Sequence, residues 1–439
     1  MPKKRKHQKA GRRTTSYSSK KEQTSIQPGL PEEEKIQLIV RYWIRRLKIK
    51  IGWINDFDKL VVNYVMFFAF LNFKYLFNVT TFFMFETFSL SSKLLKTFIG
   101  HLDNVHSIDY STFDNRQLLC SGSDDKKVCV WDFDNNEPIK SFDGHSDCVY
   151  CVRFSPYHYH NRRQNVICSS SFDSTIRFWD IKSSQQLQLF NKHADGICGI
   201  EFSPFNGGRY LFSGSWDKTV RLWDVETSKS LRAFNGHKEG VWCVDVSPLQ
   251  SGNGDKSNSI GIIGGNGYTI CSGSYDYTIR IWDVETTKQL IIFKGHKYSV
   301  NSVKYGSNVL GSINTILSGS ADESVRLWDI RSGQQIQVFN GHKMTVTCVE
   351  YSPFIINNCG NSNVICSGSS DNTIRFWDIR SNKNELHAIN GDDLEDNGIK
   401  CLKFMQLKKK GDSNEQTLKN DCGVQLCYGS SEGLIRVCG

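Results

Sequence analysis

The sequence predicts an all-β fold, a seven-bladed β-propeller with a basic and helical N-terminal extension. Three observations lead there. The phrase SGSYDYTIRIWD at residues 272–283 recurs at 121–132, 169–180, 213–224, 318–329 and 367–378, with a worn copy, YGSSEGLIRVCG, at 428–439. A Gly-His pair or its remnant stands upstream of each full copy: Gly100-His101, Gly144-His145, Lys192-His193, Gly236-His237, Gly295-His296 and Gly341-His342, with Gly391-Asp392 in that place before the worn one. The repeat Trp residues follow one another at 48, 44, 59, 46 and 49 residues, then 61 to Cys438. A period of this size is that of a four-stranded unit, which buries both faces only when stacked in a closed array.

Each unit builds itself from local chemistry. Residues 165–170 and 175–179 are short runs rich in β-branched and aromatic side chains, which suit strands. Phe172-Asp173-Ser174 between them is turn chemistry, so the phrase is a hairpin. Residues 149–154 supply an inner strand and 186–190 an outer one. The chain stops at the third strand of the seventh unit. Residues 93–98, KLLKTF, match the outer-strand runs 137–142 and 288–293 yet precede the first Gly-His. They are therefore expected to close the ring as the missing outer strand, leaving no edge unpaired.

Four polar residues recur at fixed offsets: a His, a Ser, a turn Asp four residues later, and a Trp six beyond that. The sets are His101, Ser121, Asp125 and Trp131; His145, Ser169, Asp173 and Trp179; His193, Ser213, Asp217 and Trp223; His237, Ser272, Asp276 and Trp282; His296, Ser318, Asp322 and Trp328; and His342, Ser367, Asp371 and Trp377. In the seventh unit the same places hold Asp392, Tyr428, Glu432 and Cys438, so that unit is expected to have fewer internal ties. From residue 92 to the end the chain resembles the WD-repeat family, including the β-subunits of heterotrimeric G proteins. The resemblance implies a Trp–Ser–His–Asp hydrogen-bond relay in each blade. The donors and acceptors fit, since Trp only donates, Asp only accepts, and Ser and His do both. Six copies of a Ser/His/Asp set, each tied to a Trp, read as architecture rather than hydrolysis, and no enzyme activity is expected.

The extension divides at composition shifts. Residues 1–30 are a basic tail expected to be disordered, with Lys3-Lys4-Arg5-Lys6 also readable as a nuclear address or a nucleic-acid contact. Residues 1–50 carry 15 Lys/Arg against 4 Glu, which is +11; the chain total is +9, so the rest sums to 9 − 11 = −2. Basicity is thus a property of the tail, and the propeller offers no global argument for nucleic acid. Residues 31–65 read as a helical extension, with Ile36, Val40, Trp43, Leu47 and Ile51 on one side and a basic surface opposite. A basic amphipathic helix can lie on a membrane or grip a partner. Residues 66–91 are Phe-rich and apolar. Residues 60–77 approach the length of a membrane span but contain Asn63, Asn72 and Lys74. Their Phe, Tyr, Asn, Leu and Lys all have codons made only of A and T, so a translated non-coding insert is the other reading.

The fifteen cysteines are expected to be reduced thiols at small-residue repeat positions, which places the chain inside the cell, cytoplasmic or nuclear. Cys148 and Cys151 have chelate spacing, but i and i+3 on a strand face opposite ways. His158 and His160 form the one close His pair, in what reads as a loop without a third ligand. No cofactor or metal is expected.

The function expected is that of a monomeric, non-catalytic scaffold that presents a propeller surface to proteins or peptides. In the family the resemblance names, three positions per blade face the top surface. Here they are His106 and Asp124 in the first blade, Tyr150 and Phe172 in the second, Trp216 in the third, and Trp242 and Tyr275 in the fourth. The fifth and sixth blades carry only small residues there: Ser299, Asn301, Ala321, Thr345, Thr347 and Ser370. A one-sided aromatic cluster is the expected partner site, because Trp and Tyr dominate binding energy. Two alternatives stand beside it. Residues 328–331 and 377–380 resemble the WDxR box of substrate receptors of cullin-RING ubiquitin ligases, which would give roles to Arg331 and Arg380. The basic tail suits a nuclear or RNA-associated scaffold.

Overall fold

A computed structural model describes residues 83–85, 88, 89, 92–111, 116–247, 268–306, 314–355, 364–381, 385–406 and 424–439. The basic tail, the helical extension, most of the Phe-rich segment and the long insertions after 247 and 406 lie outside these residues. Among the described residues no helix is long and apolar enough to cross a membrane.

Seven four-stranded antiparallel sheets form the blades. In the first, Val105–Ser111, Leu118–Ser123, Lys127–Asp132 and Glu137–Asp143 run from inside to outside. The pattern repeats with inner strands at Val149–Phe154, Ile197–Phe202, Val241–Val246, Val300–Tyr305, Val346–Tyr351 and Ile399–Gln406. The third strand of each of the first six blades ends on the Trp-Asp pair. The burial of its residues on both sides explains why these strands read as nearly continuous apolar runs rather than alternating ones. The small residue of each Ser-Gly-Ser step is set by close approach. A Cβ on Gly122 would stand 2.7 Å from Val149 Cγ1 of the next blade, and one on Gly319 2.7 Å from Val346 Cγ1.

Blades are joined by aromatic pairs. Each repeat Trp meets the outer-strand Phe of the preceding blade: Phe142–Trp179 at 5.3 Å, Phe190–Trp223 at 5.0 Å, Phe293–Trp328 at 5.4 Å between ring centroids. Leu94–Phe98 pairs antiparallel with Ile435–Cys438, and Phe98 meets Trp131 of the first blade at 5.7 Å. The seventh blade is thus completed by strand residues from the other end of the repeat region.

Between the sixth and seventh blades the usual pair is missing, because Cys438 replaces the Trp and Ile389 the Phe. Phe85 and Phe88 fill that space, buried against Phe354 and Phe376. Residues 83 and 84 run parallel to 354 and 355. Phe85 and Phe88, from the Phe-rich segment, are thus part of the core between these blades.

Two other local expectations change. Residues 156–162 form a short helix rather than a loop, with Pro156 in its first turn. His158 is buried in it and hydrogen-bonded to the Ser155 hydroxyl at 2.8 Å, while His160 is exposed, so the two do not converge. The seventh blade does not lack ties. Buried Asp396 accepts from Arg436 Nε at 2.7 Å and from the Tyr428 hydroxyl at 3.2 Å, and Glu395 accepts from Arg436 Nη2 at 2.6 Å. The thirteen cysteines among the described residues are free thiols.

Candidate binding face and central channel

The face is built from the turns. In the first six blades the Trp indole N–H donates to the Ser hydroxyl at 2.7–2.9 Å. The Ser oxygen lies 2.7–2.8 Å from His Nε2. His Nδ1 lies 2.7–3.0 Å from the turn Asp. The same carboxylate accepts the backbone N–H of the residue after the His, as at Lys238, Lys297 and Lys343. The Asp thereby locks the loop that enters each inner strand to the turn of its own hairpin.

A second link completes the frame. The residue before the turn Asp donates its backbone N–H to the residue just ahead of the inner strand: Phe172 to Cys148, Trp216 to Gly196, Tyr275 to Gly240, Ala321 to Ser299, Ser370 to Thr345. The top positions of a blade are therefore held together by backbone as well as by the relay.

Burial pushes His145, His193, His237 and His296 below the usual imidazole range, against the pull of their Asp partners. The partner carboxylates are held well below theirs despite burial, by the His and hydroxyl hydrogen bonds. His101 differs. Burial lowers it, but its hydrogen bonds to Asp125 and with Cys129 outweigh that and raise it to about 9. Cys129 stands where the other full blades carry an Arg, such as Arg280 or Arg326, whose charge opposes protonation of their His.

On this frame the seven residues singled out from the sequence meet one another. His106 lies 2.8 Å from Asp124 and its ring is 4.6 Å from that of Tyr150. Tyr150 contacts Phe172 at 5.9 Å and Trp242 at 5.5 Å. Trp216 contacts Phe172 at 5.9 Å, Trp242 at 6.1 Å and Tyr275 at 5.4 Å. They form one continuous crescent over four blades. They are not equivalent within it. Tyr150, Trp242 and Tyr275 line a cavity of about 480 Å³ that opens into the central channel, together with His106 and all six of the small residues opposite. Phe172 and Trp216 stand behind that rim, lying over Gly196 and Gly240 of the next blade, where a Cβ would come within 2.3 Å and 3.1 Å of their rings. Tyr275 is 46 % exposed and the other aromatics of the crescent are half-buried.

The channel below holds residues that the repeat pattern did not bring forward. Four places after the first apolar residue of each inner strand stand Asp109, Arg153, Glu201, Asp245, Lys304, Glu350 and Lys403. Three ion pairs bridge neighbouring blades: Lys403–Asp109 at 2.9 Å, Arg153–Glu201 at 3.2 Å and Lys304–Glu350 at 3.7 Å. Asp245 is left over. It accepts the Tyr305 backbone N–H at 2.7 Å, and burial, with Glu201 nearby, raises its carboxyl to about 6 although Lys304 opposes this. The signal was available as one charged residue per unit at a constant offset.

Arg331 and Arg380 are exposed on the turns after their Trp-Asp pairs. Arg380 Nε lies 3.1 Å from Asp378, and the Asn314 amide, oriented oxygen-first, accepts from Arg331 at 2.9 Å. Among the described residues no His, Cys, Asp and Glu side chains cluster in a way that would hold a metal ion.

Comparison with known proteins agrees with the architecture. The family model for the WD domain, G-beta repeat, matches residues 92–132, 136–180, 184–224, 228–283, 287–329 and 333–378, more than half of the chain. Shorter stretches resemble curated proteins. Sixty residues are 35 % identical to coatomer subunit beta'-1 of Arabidopsis thaliana, covering 14 % of this chain and 6 % of that protein. The peroxisomal targeting signal 2 receptor of Mus musculus is 35 % identical over 63 residues, 14 % of this chain and 20 % of the receptor. The U3 small nucleolar RNA-associated protein 15 homolog of Xenopus tropicalis is 34 % identical over 67 residues, 15 % and 13 % of the two chains. The matched stretch spans a fifth or less of each relative.

Proposed function

This chain belongs to the WD-repeat family, and from that premise we propose that it is a non-catalytic scaffold that docks a protein partner on the crescent from His106 to Tyr275. The observation that carries the reading is the continuity of the crescent at the mouth of the channel. Five aromatic rings and the His106–Asp124 pair form one surface, while the matching positions of the fifth and sixth blades carry only small side chains. Half-exposed aromatic clusters of this kind are where binding energy concentrates. Phe172 and Trp216 also cover glycines of neighbouring loops, so part of their role is to brace Tyr150, Trp242 and Tyr275. The buried state of the relay serines supports a non-catalytic role, since Ser121, Ser169, Ser213, Ser272, Ser318 and Ser367 are fully enclosed and a nucleophile must reach its substrate.

The test is affinity capture of the full chain from its native lysate, compared with Trp216→Ala/Trp242→Ala. Each ring is expected to cost about 2 kcal/mol of binding or more. Loss of specific partners from a variant with unchanged circular dichroism and melting supports the assignment. A folded variant that retains every partner would falsify it.

A further inference from the structure

The relay fixes more than the crescent. The backbone N–H that each turn Asp accepts belongs to the residue after the His, so that residue is presented at the same place in each of the first six blades. In the first three blades it is Leu102, Ser146 or Ala194; in the fourth, fifth and sixth it is Lys238, Lys297 and Lys343. All three lysines are exposed. A fourth, Lys400, lines the cavity from the seventh blade. Among the described residues none of these four is in an ion pair, whereas the deeper channel cations Arg153, Lys304 and Lys403 each are. Glu239, beside Lys238, is taken by Lys218 at 3.2 Å.

Resting on the docking role of the crescent, we propose that the occupant is a short acidic segment of a partner protein with an apolar or aromatic anchor. The anchor lies against Trp242 and Tyr275. Its carboxylates meet the lysine arc of the fourth to sixth blades, and one enters the mouth towards Lys400. The small side chains of the fifth and sixth blades leave room for that segment to cross from the rim into the cavity of about 480 Å³. Charge complementarity of this kind selects partners and speeds encounter. A basic segment would meet four unneutralised ammonium groups. A nucleic acid strand could stack on aromatics and pair with lysines, but it would also run past exposed Asp103, Asp393 and Glu432 on the adjoining seventh and first blades, which repel a continuous polyanion.

The experiment is selection of a random dodecapeptide display library on the full chain, followed by affinity measurement on synthetic copies of the selected peptides. The expected sequences combine Asp or Glu with Trp, Phe or Leu. Replacing their acids by Gln should weaken binding about tenfold or more, as should Lys238→Glu/Lys297→Glu/Lys343→Glu in the protein, and 0.5 M salt should act in the same direction. Trp216→Ala/Trp242→Ala should abolish binding. Peptides that depend on the two Trp residues but are basic or neutral, or that are indifferent to the lysine reversals, overturn the acidic occupant and leave the docking site standing. A selection yielding no peptide that depends on the Trp residues overturns both. Tighter binding of a poly-uridine strand than of any selected peptide, lost in the lysine variant, assigns the face to RNA and overturns the proposal.

Discussion

Ser272 shows what the relay asks of a single side chain. Its hydroxyl receives Trp282 and contacts His237, and all three groups are buried. Ser272→Ala leaves an indole N–H and an imidazole nitrogen without partners in a closed site. The expected loss is about 1–3 kcal/mol, read by chemical denaturation; a change below about 0.5 kcal/mol would mean that the bonds add little. The relay also sets a pH dependence. The carboxylates of Asp173, Asp217, Asp276 and Asp322 titrate lower in the fold than in the open chain, so their contribution is present above the ordinary value of 3.8 and is lost as pH falls below it. Four relay His residues are also lowered, so between their folded values and 6.5 the unfolded chain binds more protons and stability again falls with pH. Melting temperature should therefore decline from pH 7 to pH 4. His101 has the opposite sign: raised to about 9, its contribution is full below 6.5 and fades as pH rises through 9. Proton NMR should find it as the relay imidazole still charged at pH 7.5, and Cys129→Arg should bring it down to join the others. Asp245 makes a separate case. With its carboxyl raised to about 6, ionisation costs the fold stability above that pH. Asp245→Asn keeps an acceptor for the Tyr305 N–H and removes the charge. It should stabilise the protein by on the order of 1 kcal/mol at pH 8, discounted for the solvent in the channel, and by nothing near pH 4.

At the scale of elements, the closing strand and the phenylalanines before it decide whether the ring holds. Removal of residues 1–99 takes away Leu94–Phe98, exposes the edge of Ile435–Cys438, and strips Phe85 and Phe88 from the space between the sixth and seventh blades. The truncated chain should melt well below the full one, and unchanged melting would show that the closure contributes nothing. Phe88→Ala alone should cost about 3–5 kcal/mol, as expected for a fully buried ring. The closing strand was legible in the sequence because KLLKTF copies other outer strands. The role of Phe85 and Phe88 was not, because they replace a Trp and a Phe that lie elsewhere in the chain. The same reason hid the Asp396–Arg436–Tyr428 network. Tyr428 and Arg436 stand at the Ser and Arg places of the phrase, but their partner Asp396 lies in a loop before the inner strand that is longer than in the other units, so comparing the seventh unit with the other six showed only what it lacks.

For the whole molecule, periodicity made the blades and the six sets of relay residues readable because, the closing strand of the seventh blade aside, each is written in one stretch of chain. The crescent was readable too, because the resemblance to the WD-repeat family implies which positions of each blade reach the top. The charged ring of the channel was missed although its offset is constant, because its opposite charges pair only once the inner strands stand side by side. Partners are predicted to dock on the crescent around Trp242 rather than on the outer strands or the opposite end of the ring. Hydrogen–deuterium exchange of the full chain with and without its captured partner tests this most directly. Protection should appear in the peptides covering residues 148–152, 214–217, 240–243 and 273–276, with the helix Pro156–Arg162 unchanged. Protection confined to that helix, to the turns carrying Arg331 and Arg380, or to the outer strands would contradict it.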